Sequence, residues 1–216
     1  MRSTLSAGIN RRGNGHGIEQ SSLVRGISSG KTGSVHVHDP GYAFNTYDHQ
    51  GELDGPLAPA DVLTANLLSL QLSARDVIPL FTEGDGPAQR LRESLDKALV
   101  ELRDADCFES YDDLSVLERA VESLAAANTA TLPVKWWTAV TVSKVLHRRR
   151  PHIVPLIDSR VYEFYGAKHP GPVRKALWED IRENASWLTD LAATKKTLDG
   201  RPISLLRVAD ILIWTP

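Results

Sequence analysis

After Pro59, apolar positions recur at intervals of three and four along most of the chain, the spacing that lines one face of an α-helix. Val62, Leu63, Leu67, Leu68 and Leu70 predict a first, mostly buried helix from Pro59, a residue suited to an opening turn, to about Ser73. The cluster Glu83-Gly84-Asp85-Gly86-Pro87 reads as a loop launching a second helix, in which Leu91, Leu95, Ala98, Leu99 and Leu102 share a face. Leu114, Leu117, Val121 and Leu124 predict a third helix from about Asp113 to Ala127. A fourth is expected from Val134 to Arg149, after which Pro151 and Pro155 force an irregular or extended link to Asp158. Ser159 to Tyr165 reads as a short helix ended by Gly166 and by His169-Pro170-Gly171-Pro172. Val173, Leu177, Ile181, Leu188 and Leu191 then mark a sixth helix, with Trp178 and Trp187 near its apolar side. The turn Asp199-Gly200-Arg201-Pro202 leads into a terminal helix over Ile203 to Trp214.

This pattern predicts an all-α fold, a single compact multi-helix domain over residues 41–216. Its start, with Tyr42, Phe44 and Tyr47 before the turn Asp54-Gly55-Pro56, reads as a short extended segment. Residues 1–40 are Gly- and Ser-rich without hydrophobic periodicity and are expected to form a flexible tail. A length of 216 residues with 42% hydrophobic content can bury a core and favours one domain over two. Val62 to Leu72 is interrupted by Thr64, Asn66, Ser69 and Gln71, so no membrane span is expected, and the first residues lack the apolar core of a secretory signal. A cytoplasmic location is the resulting expectation. The single cysteine, Cys107, excludes an internal disulfide and a Cys-rich metal centre. Its carboxylate neighbours disfavour a thiolate nucleophile.

Charge divides the chain. Glu83 to Ser123 holds twelve Asp and Glu against five Lys and Arg, whereas Leu132 to Arg182 holds ten Lys and Arg against four Asp and Glu. A basic half is compatible with a polyanion-binding face, or with packing against the acidic half. Lys144, His147, Arg148, Arg149 and Arg150 gather at the end of the fourth helix, where cations complement the negative end of the helix dipole. Together with Lys135 they could also neutralise phosphates. Trp136 and Trp137, adjacent on a helix, point about 100° apart. They cannot share one core pocket, so one is a candidate to stack on a base or fill a partner's groove, the alternative being packing against the core. Asp158 follows the apolar run Ile153-Val154-Pro155-Leu156-Ile157 and either caps the next helix or, beside an open cleft, serves as a general base or stabilises developing positive charge. Gly26 to Thr32 imitates a phosphate-binding loop with one residue too few between its glycines. His36-Val37-His38 offers two ligands of an incomplete metal site, and neither a metal nor a cofactor is expected.

Leu132-Pro133, a helix over Ala139 to Leu146, Arg150-Pro151 and Val154-Pro155-Leu156-Ile157-Asp158 together resemble the helix-hairpin-helix DNA glycosylase superfamily. That family's pattern runs Leu-Pro-Gly-Val-Gly, helix, Lys/Arg-Pro and Val-Pro-x-Asp. The resemblance implies a DNA partner, a hairpin whose backbone N–H groups meet a phosphate, and Asp158 as the carboxylate that assists departure of an extrahelical base. Val134-Lys135-Trp136 replaces the family's Gly-Val-Gly, and one additional residue precedes Asp158. Where lyase members carry a nucleophilic lysine this chain has Ala125 to Ala127, which points to a monofunctional N-glycosylase. The alternative is a non-catalytic nucleic-acid-binding or protein-interaction module on the same fold. Oligomeric state is not legible in the sequence.

Overall fold

The computed structural model describes residues 46–48 and 53–214. The expected tail, its phosphate-loop and His-Val-His imitations, Tyr42 and Phe44 lie outside the described residues. Within them the chain is all-α, with one isolated bridge between Lys196 and Pro202. No described helix is long and apolar enough to cross a membrane.

Helix α1 (Pro59–Thr64) is followed by a 3₁₀ turn over Ala65–Leu68, well short of the single helix expected to Ser73. The Asn66 amide explains the stop: it donates to the Leu72 carbonyl and accepts from the Leu72 N–H, both at 2.9 Å, folding the chain back on itself. Ser69, at φ 63, takes the left-handed conformation that this reversal requires. Helix α2 (Ala74–Val77) and a second 3₁₀ turn (Ile78–Phe81) lead to α3 (Pro87–Glu101), where the expected face of Leu91, Leu95, Ala98 and Leu99 is buried. The third expected helix is two, α4 (Leu114–Ala120) and α5 (Glu122–Ala130), because the backbone leaves helical geometry at Val121.

Helix α6 (Ala139–Arg149) is the centre of the molecule, packed against α5, α3, α1 and the Ala65–Leu68 turn. It begins at Ala139, five residues later than the periodicity suggests, capped by Thr138, whose hydroxyl accepts from the Thr141 N–H. Helix α7 (Ser159–Phe164) follows the Pro-bounded link and stops before Gly166, at φ 60. Pro170 starts α8 (Pro170–Glu183) instead of merely breaking the chain, since proline is well suited to a first helical position. A break at Asn184 separates α8 from α9 (Ala185–Ala193), and α10 (Leu205–Trp214) closes the fold against α9 and α7.

The two charged halves neutralise each other in places. Arg174 of α8 donates to Glu118 of α4 at 3.0 and 3.2 Å, and Arg182 approaches Asp112 at 3.6 Å.

Candidate functional site

The link after α6 is fixed by hydrogen bonds before it delivers Asp158. Val154 N–H donates to the Arg150 carbonyl at 3.0 Å, and His147 Nδ1 meets the Val154 carbonyl at 2.6 Å. Burial pushes His147 down to about 3, so the ring is neutral at ordinary pH and its Nδ1–H is the donor. Asp158 then caps α7: its Oδ1 accepts from Arg160 N–H at 3.1 Å and Val161 N–H at 3.2 Å. Its Oδ2 lies 3.1 Å from Lys144 Nζ, which also donates to the Leu68 carbonyl at 2.7 Å. Asp158 thus caps α7 and also lines a cavity.

Lys144 and Asp158 face a partly enclosed cavity of about 170 Å³, walled by Leu67, Leu68 and Leu156 and bordered by Trp214 and Asp210. That is close to the roughly 150 Å³ of an engineered cavity that holds benzene, a scale suited to one planar ring. The Arg160 guanidinium stands over the Trp214 ring, 5.7 Å from its centroid.

Behind the cavity is a buried ionic group. Arg207 Nε donates to both oxygens of Asp48 at 2.9 and 3.0 Å, and Arg207 Nη1 donates to Asp210 Oδ2. The same guanidinium lies over Tyr47, whose ring stacks on His147 and whose hydroxyl donates to the Lys144 carbonyl at 2.6 Å. Burial pushes the Asp210 carboxyl up to about 6; Arg207 and Lys144 pull it down, while Asp158 and Asp48 add to the rise. Burial also raises Asp48, against Arg207.

The cluster expected to face phosphate is turned inward. Arg149 donates to Asp61 Oδ2 at 2.8 Å and to the carbonyls of Leu53 and Gly55, and Arg148 donates to Asp61 Oδ1 at 3.3 Å. Arg150 donates to the carbonyls of Leu99 and Leu53, and His147 is 1% exposed. A helix C-terminus in the core draws in these cations because they satisfy buried carbonyls and balance Asp61. Of the residues singled out for nucleic acid, Lys135 and Trp136 are the exposed ones, and Lys144 has moved from that group into the cavity.

Leu132 to Trp137 forms a tight hairpin between α5 and α6, with Val134 N–H donating to Thr131 at 2.8 Å and Trp137 N–H to Val134 at 3.2 Å. Trp137 is buried, its indole donating to the Asp76 carbonyl at 3.2 Å, whereas Trp136 is 65% exposed. Trp136 adopts φ 70, a conformation that costs a bulky residue and that glycine adopts freely. Trp136 and Lys135 border an open groove of about 620 Å³ shared with Arg75, Asp76 and Pro79. Cys107 is exposed, and burial, then Glu109 and Asp106, push its thiol up, away from nucleophilic reactivity.

Sequence reasoning missed Asp210, Arg207 and Trp214. The available signal was an i, i+3 charge pair, Arg207 and Asp210, inside an otherwise apolar terminal helix. The model of one protein family, described as "Family of unknown function (DUF6308)", matches residues 32–216. No curated protein and no solved structure matches the chain.

Proposed function

Since the chain belongs to that family of unknown function, we propose its activity from the site itself: monofunctional hydrolysis of an N-glycosidic bond in DNA, with Asp158 beside the departing base. The observation that supports this reading is the position of Asp158. It follows a hairpin, a helix and a Pro-bounded turn, and its carboxylate reaches a ring-sized cavity bordered by Trp214. A base turned out of the stack and held against Trp214 leaves with the electron pair of its bond to the sugar. Positive charge then develops on the sugar carbon beside Asp158, and a fixed carboxylate in a site shielded from bulk water stabilises it. Water adds to that carbon to complete the hydrolysis. Lys144 holds the carboxylate in place, and because its ammonium is committed to Asp158 and the Leu68 carbonyl it is not a free amine for a Schiff base.

Backbone contacts fall to the hairpin and its groove, through Lys135, Trp136 and Arg75. The test is base release from single- and double-stranded oligonucleotides carrying altered bases, with binding measured at two salt concentrations. Free base, strands that break only after alkali, no adduct trapped by borohydride and binding weakened by salt are expected. Absence of base release across the panel removes the reading.

One observation favours the second reading, a non-catalytic binding module: both oxygens of Asp158 already have partners within the protein. Binding without base release is its outcome in the same assay.

Trp136 offers a further check. Trp136→Gly relieves the left-handed strain but gives up the buried third of the ring and frees the unfolded chain, so stability is expected to change by less than about 1 kcal/mol. DNA affinity is expected to fall by about 1–3 kcal/mol, the worth of one stacked base. Thermal unfolding and a DNA titration read the two effects, and an unchanged affinity removes Trp136 from the interface.

A further inference from the structure

We infer that Asp210 is a second catalytic residue, the acid that protonates the departing base while Asp158 stabilises the sugar, an assignment that rests on the glycosylase-like reading above. Two carboxylates border one cavity but are held differently. Asp158 accepts two backbone N–H groups and faces Lys144 at 3.1 Å. Asp210 is itself buried on α10, a helix whose residues 206–213 are all buried, with one oxygen accepting from Arg207. Two carboxylates held differently beside one cavity can divide the charge-stabilising and proton-donating roles between them.

The groups acting on Asp210 come from every side. Arg207 shares its helix, Lys144 belongs to α6, Asp158 precedes α7, and Asp48 lies across Arg207. The two cations favour ionisation and the two carboxylates oppose it. Burial decides the balance, leaving Asp210 able to hold a proton up to about pH 6.

The reaction balances with water as the co-reactant. The bond between sugar and base breaks and its electron pair goes to the base, which takes the Asp210 proton and leaves neutral. Water adds to the sugar carbon, and the proton it sheds returns to Asp210. Arg207, which touches no reacting atom, is a positioning residue: it donates to the carboxyl of Asp210, a residue that lines the cavity.

The assignment separates two kinds of leaving group. A base that already carries positive charge departs neutral without protonation, whereas a neutral base needs the acid. The experiment compares release of 7-methylguanine, a cationic base, with release of hypoxanthine, a neutral one, from otherwise identical oligonucleotides. For the unaltered protein the expected rate of hypoxanthine release declines as pH rises through about 6, while the 7-methylguanine rate shows no such decline. Asp210→Asn is expected to lower the ratio of hypoxanthine to 7-methylguanine release by about 10²-fold. This ratio is insensitive to the fraction of folded protein, and the pH profiles of the unaltered chain provide the test if the variant does not fold. Parallel pH profiles for the two bases, or an unchanged ratio in the variant, overturn the acid role and leave the glycosylase-like reading standing. Release of 7-methylguanine without hypoxanthine also overturns it. Release of neither base, nor of any base in the wider panel, overturns both.

Discussion

Asp158→Asn is expected to slow base release by about 10²- to 10⁴-fold, the usual worth of a positioned acid–base or charge-stabilising group. The substitution is conservative for the fold in one respect, because asparagine caps a helix about as well as aspartate and keeps an oxygen for the Arg160 and Val161 N–H groups. It is severe in another. Lys144 and Asp158 are each 6% exposed, so the ammonium loses its partner in a buried setting, at a cost of about 3–5 kcal/mol. Lost activity in the single variant is therefore ambiguous, since it could follow from lost structure. The double variant Asp158→Asn/Lys144→Met resolves it. Removing both charges and filling the volume with an apolar chain restores stability to near the parent value. Base release is expected to stay lost, and its recovery together with the melting temperature would assign Asp158 a structural role alone.

What the sequence made legible follows from the range of the interactions involved. The apolar face of α3 and the start of α7 at Asp158 are governed by neighbours within a few residues, so periodicity and capping identified them. The break at Asn66 also depends on a local bond, but asparagine inside an apolar stripe does not announce which carbonyl its amide will find. Arg148, Arg149 and Arg150 show the opposite limit. Their charges are plain in the sequence, yet their direction depends on Asp61, Leu53 and Gly55, roughly ninety positions away. A run of arginines at a helix end looks the same whether the helix ends at the surface or in the core. The candidate cavity has the same dependence: Lys144 and Asp158 are each singled out in the sequence, but for different roles, and Asp210 and Trp214 reach them through α10. The early start expected for α6 failed because Lys135 and the two tryptophans are acceptable in a helix, and only the hairpin geometry requires Trp136 to leave it.

Arg207→Met should cost about 3–5 kcal/mol of stability at pH 8 and distinctly less at pH 5. Arg207 is 1% exposed, and its loss leaves Asp48 and Asp210 without the cation that holds their charges in the interior. Both carboxyls are already raised with Arg207 present, so without it they rise further and ionise only at a cost. Protonation at lower pH removes that cost. For Asp210 in the unaltered chain, a folded pKa of about 6, above the ordinary carboxyl value of 3.8, gives a contribution fully present below about 4 and lost as pH rises through 6. His147 has the opposite sign: depressed from 6.5 to about 3, it contributes stability above 6.5 that is lost as pH falls toward 3. The two slopes oppose each other between about pH 4 and pH 6, so these groups leave the unaltered protein with little net dependence there. Removing Arg207 strengthens the carboxylate side and, because its charge also helps to depress His147, weakens the opposing one. Urea unfolding of both proteins at pH 5 and pH 8 is the measurement, and an equal deficit at the two pH values would mean that lost packing around Tyr47, rather than stranded charge, sets the cost.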